Sequence, residues 1–290
     1  MAALPDLSIR QLEYLVAVSE TPTWAVAAET VGVTASALSQ GLSELERRVG
    51  IELFERDGRR RTLRPSAGPV LEHARRVLGL TGDLVHWADR MRGAAVGRVR
   101  VGMIDAAAVV HFPDVLRSFR RDHHAVDLHL TVAPSGTLLD HLASGDLDLA
   151  VCVEPPTPIA GIEARALMPE DLVVYAPSGQ RPGPPAGWGP WVLFPEGSHT
   201  RQMIVDALGH LGAPLDVVAE SHQPEVLREM VLLGMGWTVL PGAQAEHGER
   251  PLRSGRPLTT RTLVVARRSG STSDPAVDVL AEELHSSASH

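Results

Sequence analysis

The stretch 27-AAETVGVTASALSQGLSELERRVGIELFER-56 holds two short helical patterns on either side of a glycine. Gly32 lies where the first helix would end, and Thr34 is suited to cap the start of the second. The second pattern repeats apolar residues at helical spacing, namely Ala37, Leu38, Leu42, Leu45 and Val49. Two short helices joined by a glycine-containing turn are typical of a helix-turn-helix unit.

The outer face of the second helix is small and polar. A helix that enters the major groove must bring its backbone close to the base edges, where hydroxyl and amide groups form hydrogen bonds. We therefore predict that the start of this helix contacts DNA through Thr34, Ser36, Ala37, Ser39 and Gln40. The periodicity alone would equally fit a surface helix of an ordinary bundle, so the choice depends on the segment that follows.

That segment, 54-FERDGRRRTLRP-65, carries five arginines within nine residues around an Asp-Gly turn. Strand-like residues flank the turn, which predicts a basic hairpin, or wing, beside the helix. We predict that Arg56, Arg59 and Arg61 bind phosphate groups of the DNA backbone. A wing beside a helix-turn-helix favours double-stranded operator DNA as the partner.

A long helix is predicted over residues 66–92. Apolar residues recur there every seven positions with small residues between them, as in a coiled coil: Val70, Val77, Leu84 and Met91, then Ala74, Thr81 and Ala88. This pattern predicts a homodimer, and a dimer suits an operator with two half-sites. A helix packed against its own domain is the alternative.

From Arg98 onward, strand and helix patterns alternate, which predicts an α/β domain with a parallel sheet. The chain then divides into a DNA-binding domain (1–65), a linker helix (66–93) and a two-lobed effector-binding domain (94–290). Within the last, lobe I takes about 94–168 and 260–290, and lobe II takes about 169–259. Two α/β lobes leave a cleft where strand ends and helix starts bind small molecules.

Polar residues at strand ends and helix starts are the candidates for lining this cleft. We predict effector contacts from Asp105, Ala106, Ser135, Thr137, Ser198, His199, Thr200 and Thr238. Hydroxyl groups and helix starts favour a ligand with acceptor groups, whereas the carboxylate of Asp105 would repel an anion. Either Asp105 accepts a hydrogen bond from a neutral or zwitterionic ligand, or it points away and pairs with an arginine.

Composition argues against catalysis and cofactors. The chain has a net charge of −8, all of its 27 basic residues are arginine, and the absence of lysine excludes a phosphate-binding loop of the Walker type. One cysteine, Cys152, excludes an intramolecular disulfide or a cysteine metal cluster. The histidines at 123, 124 and 129 lack a metal-binding spacing. We expect no catalytic residue, metal or cofactor, no membrane association and a cytoplasmic location.

Several segments, in order, resemble the LysR-type transcriptional regulators. They are 10-RQLEYLVAVSE-20, the Ala27–Ala28 pair, 36-SALSQGLSELERRVGIELFER-56, 139-LDHLASGDLDLAV-151 and 233-LGMGWTVLP-241. The resemblance implies a winged helix-turn-helix, a dimerising linker helix and an effector domain like a periplasmic binding protein. It also implies a homodimer or homotetramer that binds operator DNA and a small effector, with RNA polymerase as a further candidate partner.

Three positions depart from the family pattern. Family members usually carry Gln in place of Ala35, a large polar residue in place of Gly41, and a Ser or Thr hydroxyl in place of Ala106. The first two changes fall on the predicted recognition helix and imply an altered operator or greater dependence on the wing. A cytoplasmic α/β protein of metabolism, whose N-terminal helices serve dimerisation alone, is the alternative function.

Overall fold

The computed structural model describes residues 6–57, 60–91, 97–246, 250–253, 255–272 and 274–288. It divides into two compact units, Met1–Met91 with Ala143–Asp146, and the remainder of the chain.

The N-terminal unit is a winged helix-turn-helix. Its elements are α1 (Ile9–Glu20), α2 (Trp24–Thr30), α3 (Ala35–Val49), β1 (Phe54–Asp57), β2 (Arg60–Leu63) and α4 (Gly68–Met91). Hydroxyl side chains cap each short helix: Ser8 and Gln11 form a capping box, Thr23 accepts from Val26 N, and Thr34 accepts from Ala37 N. Gly32 follows α2 at φ +69°, a left-handed conformation that favours glycine. The predicted turn and cap are confirmed.

The long helix α4 has two different halves. Its first half packs on the N-terminal core, where Ala74 is fully buried and Val70 and Val77 are partly buried. Its second half exposes a group of apolar side chains: Leu80, Leu84, Val85 and Trp87. Val70 and Val77, which the heptad pattern places on a dimer seam, pack in part against their own domain in the single chain.

The C-terminal unit is built on one mixed sheet of strand order β4-β3-β5-β10-β6-β9. The strands are β3 (Arg98–Met103), β4 (Asp127–Val132), β5 (Leu149–Val153), β6 (Ile162–Tyr175), β9 (Thr238–Pro241) and β10 (Arg256–Arg268). β3 runs parallel to β4 and β5, whereas β10 is antiparallel to β5 and β6. The sheet is therefore mixed, and the prediction of a parallel sheet holds for its first three strands alone.

Helices connect and cover these strands. They are α5 (Pro113–Asp122), α6 (Ser135–Ser144), α7 (His199–His210), α8 (Pro224–Leu232), α9 (Gly242–Ala245) and α10 (Pro275–Ala288). Between β3 and β4 the chain forms two helical elements, because a short π-helix (Ala106–His111) ends before Pro113, which starts α5.

Two hydrophobic cores lie along this unit. One surrounds β3, β5 and the second half of β10, and the other surrounds β7 (Trp191–Leu193), β9 and helices α7 and α8. In the second core, β7 pairs in parallel with β8 (Val217–Glu220) and forms a bridge to Trp237. A Cβ atom at Gly236 would lie 2.6 Å from the carbonyl oxygen of Pro190, so glycine is required for this close backbone approach. β6 and β10, the crossover strands, pass through both cores.

Candidate DNA-binding surface and effector cavity

The N-terminal half of α3 presents a small, polar surface. Thr34, Ser36, Ala37 and Gln40 are exposed and Ser39 is half-buried, whereas Leu38 and Leu42 are fully buried on the opposite side. Ala37 therefore belongs to the outer face and not to the buried stripe in which the periodicity also placed it. The surface can approach base edges closely, as the predicted readout requires.

Gly41 has a packing role in the N-terminal core. A Cβ atom at this position would lie 2.7 Å from two ring carbons of Tyr14 on α1. A large polar residue of the kind usual in the family would collide with that ring. The change at Gly41 is thus matched by Tyr14 packing inside the domain, which corrects its interpretation as a loss from the DNA-reading face.

The wing is an antiparallel hairpin in which Phe54 pairs with Leu63. Glu46 of α3 holds its base by accepting hydrogen bonds from the backbone N–H groups of Leu53 (2.8 Å) and Phe54 (3.2 Å). The guanidinium of Arg61 lies over the Trp24 ring at 5.3 Å, which ties the wing to the start of α2. Arg59 lies outside the described residues, and for Arg56 the structure describes the backbone in β1.

A cavity of about 280 Å³, here called the effector cavity, opens at the carboxyl ends of the three parallel strands. Its first wall comes from the residues that follow β3, β4 and β5, and its second wall comes from the starts of α7 and α8. The lining residues are Ile104, Asp105, Ala106, Val132, Ala133, Pro134, Ser135, Val153, Phe194, Ser198, Thr200, His222, Gln223, Pro224, Gln244 and Arg261. Strand ends and helix starts of α/β sheets are the usual place for small ligands.

Asp105 faces this cavity. Its Oδ1 accepts a hydrogen bond of 2.7 Å from Nε2 of Gln244, and among the described residues this amide, not an arginine, is its partner. Burial raises the pKa of Asp105, the nearby charge of Glu225 raises it further, and the hydrogen bond from Gln244 partly opposes both. Of the two alternatives for Asp105, the structure favours the one in which the carboxylate is available to a ligand.

A buried ionic network borders the same cavity. Arg261 on β10 contacts Oε2 of Glu170 on β6 through Nε (2.7 Å) and Nη2 (2.5 Å), and its Nη1 donates to Oγ1 of Thr200 (2.8 Å). Nε2 of His111 lies 2.5 Å from the other Glu170 oxygen. Burial raises the pKa of Glu170, but the hydrogen bond from His111 and the charge and hydrogen bond of Arg261 outweigh it, so this pKa lies below its usual range.

Five of the eight predicted effector contacts line the cavity, and three do not: Thr137, His199 and Thr238. Thr137 is exposed on the outer side of α6. His199 lines a separate depression behind the crossover strands. Thr238 is fully buried and donates to the carbonyl oxygen of Val192 at 2.7 Å, so its hydroxyl serves the second core. Ser135 lines the cavity while accepting from Val153 N at 3.1 Å.

Gln244, Arg261, Glu170 and His111 were not predicted from the sequence. The sequence did contain one sign of a buried ion pair: Arg261 lies inside a strand-like segment, and an arginine in a buried strand needs a partner. The pairing with Glu170 depends on strand register across ninety residues, which the sequence pattern does not encode locally. Gln244 lies in the four-residue helix α9 and carried no recognisable motif.

Cys152 is fully buried in the middle of β5, and burial raises the pKa of its thiol to about 12. Among the described residues, no three histidine, cysteine, aspartate or glutamate side chains gather in the manner of a metal site. Within the same residues, every helix is too short or too polar to cross a membrane.

Comparison with known proteins identifies relatives for both units. Residues 92–289 match the LysR substrate binding domain, and residues 9–67 match the bacterial regulatory helix-turn-helix proteins of the lysR family. A "probable hydrogen peroxide-inducible genes activator" from Streptomyces viridosporus is 31% identical over 262 residues, which cover 88% of this chain and 83% of that protein.

Solved structures share the fold over nearly the whole chain. A full-length OxyR variant from Pseudomonas aeruginosa has a TM-score of 0.62 at 23% identity, and the match covers 96% of this chain and 94% of that one. Full-length CbnR complexed with its target DNA has a TM-score of 0.59 at 20% identity, with 97% and 100% covered.

Proposed function

Because the chain belongs to the LysR family of bacterial DNA-binding transcriptional regulators, we propose that it reads its operator through the outer face of α3 and changes transcription when a small molecule fills the effector cavity. The match of residues 9–67 to the helix-turn-helix family removes the alternative in which these helices serve dimerisation alone. The family consists of regulators and not of enzymes. We place its action in the cytoplasm, where bacterial DNA lies.

The observation that carries the DNA-binding proposal is the division of α3 into two faces. Leu38, Leu42 and Leu45 are fully buried, so the helix orientation is fixed by its core. The same orientation leaves Ser36 and Gln40 exposed at the N-terminal end, where a recognition helix contacts base edges. Gln40 is suited to a bidentate contact with adenine.

The second half of α4 supports a dimer. Leu84 and Val85 are 56% and 51% exposed, and Trp87 on the same helix is 41% exposed. Large apolar side chains that share one exposed face usually mark an interface. We propose that this face pairs with the same face of a second copy, which would give the protein two recognition helices for two half-sites. Assembly of two dimers into a tetramer and contact with RNA polymerase are further proposals that rest on family membership.

Hydrogen bonds connect the effector cavity to the crossover strands β6 and β10. Thr200 lines the cavity and also accepts the hydrogen bond from Arg261, which is paired with Glu170 on the neighbouring strand. A ligand that draws the Thr200 hydroxyl or the start of α7 toward itself would act on this buried network. We propose this coupling as the way in which effector binding changes the unit.

A peroxide-responsive thiol does not fit the chain, although one relative is described as a probable hydrogen peroxide-inducible activator. The thiolate is the form of cysteine that peroxide oxidises. The single cysteine, Cys152, is fully buried and its pKa is raised to about 12, so the thiolate is disfavoured. We propose a bound metabolite, and not cysteine oxidation, as the signal.

A mobility-shift titration tests the DNA-binding proposal. The duplex would be the DNA next to the chromosomal gene for this protein, and the comparison would be between the full chain and its Gln40→Ala and Ser36→Ala variants. We expect the variants to lose preference for that duplex over random DNA while they keep wild-type thermal stability. Equal preference in all three proteins would exclude α3 as the reading element.

A further inference from the structure

The effector cavity has an uneven charge balance. Its lining contains one fixed cation, Arg261, and one acid, Asp105, while His222 is exposed at its rim. Arg261 and Glu170 are 4% and 5% exposed at their side chains and form a direct ion pair, so the arginine charge is already compensated. The carboxylate of Asp105 has a neutral amide as its partner. Among the described lining residues, the uncompensated charge is therefore negative.

The acidic side of the cavity is reinforced at the start of α8. Pro224 occupies the first turn of α8 and has no N–H to offer, and Glu225 follows it in the same turn. Burial is the main cause of the raised pKa of Asp105, and repulsion between its carboxylate and that of Glu225 adds to it. The positive charge of a bound ammonium group would offset the repulsion between Asp105 and Glu225, because both carboxylates attract it.

The start of α7 favours an acceptor group. The first turn of α7 carries no carboxylate, and within the described residues the hydroxyl of Ser198 at its N-cap forms no capping hydrogen bond. The backbone N–H groups at this helix start and the Ser198 hydroxyl can therefore hold a carboxylate. The surroundings of Asp105 and the start of α7 thus favour opposite charges on one ligand.

We propose that the effector is a small amino acid, whose ammonium group contacts Asp105 and whose carboxylate contacts the start of α7. This inference rests on the proposed function of the cavity as the effector site. The cavity of about 280 Å³ holds a compact ligand, since a water molecule takes ~30 Å³ and the space then equals about nine waters. The residual apolar lining, with Val132, Val153 and Phe194, accommodates a short apolar side chain.

Calorimetry on the full-length protein tests the proposal. The probes are the small L-α-amino acids, β-alanine and 4-aminobutyrate, each compared with the hydroxy acid of the same skeleton, in which a hydroxyl replaces the ammonium group. We expect at least one amino acid to bind saturably and its hydroxy acid to bind at least tenfold more weakly.

Variants assign the selectivity to Asp105. Asp105→Asn keeps a partner for Gln244 and should lose at least tenfold in affinity for the amino acid, with no loss of affinity for the anionic hydroxy acid. Asp114→Asn removes a carboxylate that is 87% exposed on α5 and serves as the matched control, with wild-type affinity expected. Glu225→Gln should weaken amino acid binding by a smaller factor, and thermal unfolding verifies that each variant is folded.

Three results would overturn the inference: no amino acid binds, a hydroxy acid binds as tightly as its amino acid, or Asp105→Asn binds like the wild type. None of these results would contradict the proposed regulator function, because operator binding in the mobility-shift titration is measured without added small molecules. Loss of operator binding with intact amino acid selectivity would instead contradict the proposed regulator function and leave the amino acid inference standing.

Discussion

Arg261 and Glu170 face each other in register across the antiparallel crossover strands, and both side chains are about 95% buried. They lie where the strands pass from one hydrophobic core to the other, between the register shifts at Pro257/Thr259 and Leu263/Val264 of β10. The pair therefore lies in the regularly paired stretch between two register shifts, and the Thr200 hydroxyl at the effector cavity accepts a hydrogen bond from the same guanidinium. This placement makes it the point where the cavity and the sheet meet.

Glu170→Gln should destabilise the C-terminal unit by about 3–5 kcal/mol, because it leaves the Arg261 charge buried without a counter-ion. Urea unfolding measures the loss. The control is Glu282→Gln, which breaks an exposed ion pair: the side chains of Arg165 and Glu282 are 66% and 71% exposed. This change should lower the free energy of unfolding by less than about 1 kcal/mol. Equal losses in the two variants would show that burial of the pair does not matter.

The same pair predicts the sign of a pH effect. The pKa of Glu170 lies below its usual range in the folded protein, so its ionised form stabilises the fold above the pKa of the unfolded chain. That stabilisation is lost as the pH falls through the folded pKa. The stability difference between wild type and Glu170→Gln should therefore shrink on acidification, and a difference that grows toward acid pH would contradict the assigned ionisation.

Gly41→Ala should lower the thermal stability of the N-terminal unit. Alanine favours a helix over glycine by about 1 kcal/mol, but the added Cβ would lie 2.7 Å from the Tyr14 ring, and overpacking of this kind costs about 1–3 kcal/mol. Gly82→Ala in α4 is the control, since its Cβ would meet no described atom within 4 Å and should raise stability. Scanning calorimetry on the two variants distinguishes packing from propensity, and stabilisation by Gly41→Ala would refute the packing role.

Leu84→Glu should dissociate the dimer. Leu84 is 56% exposed in the single chain, and a charge there would be buried without a partner in the proposed interface. Sedimentation velocity at micromolar concentration measures the change. Leu233→Glu replaces a leucine that is 74% exposed in the other unit and should leave the assembly intact. A Leu84→Glu protein that sediments like the wild type would place the interface elsewhere.

The double variant Arg59→Ala with Arg61→Ala should weaken binding to all DNA sequences alike. Each phosphate contact contributes about −0.9 to the slope of log affinity against log salt, so the slope should become shallower. Arg117→Ala removes an arginine that is 73% exposed in the C-terminal unit and should keep the wild-type slope. Fluorescence anisotropy over a salt series gives both slopes. If the double variant has the same slope as the wild type, these wing arginines do not bind phosphate.

Local signals explain what the sequence predicted well. The helix boundaries around Gly32 and Thr34 follow from backbone conformation and capping within a few residues, and the structure confirms both. The cavity position follows from a similar rule, because strand ends and helix starts of an α/β unit are found by periodicity. The same rule predicts Asp105, Ser135 and Ser198 as lining residues, and all three line the cavity.

Non-local pairing explains what the sequence missed. The partner of Arg261 is fixed by strand register with β6, and Gln244 reaches Asp105 from an element 139 residues away. Thr238 is predicted to face the ligand as a polar residue at a strand end, but its hydroxyl donates to the backbone of the neighbouring strand β7. The direction of a strand side chain depends on which strand lies beside it, and periodicity alone leaves that open.

Selection from a pool of random duplex DNA by the full-length protein tests the central claim most directly. We predict enrichment of an inverted repeat whose half-sites are about one helical turn, or a multiple of it, apart. Gln40→Ala should enrich a different base at one position of each half-site while Arg117→Ala enriches the wild-type repeat. A pool that shows no enriched sequence after binding, or the same sequence for Gln40→Ala as for the wild type, would contradict sequence reading by α3.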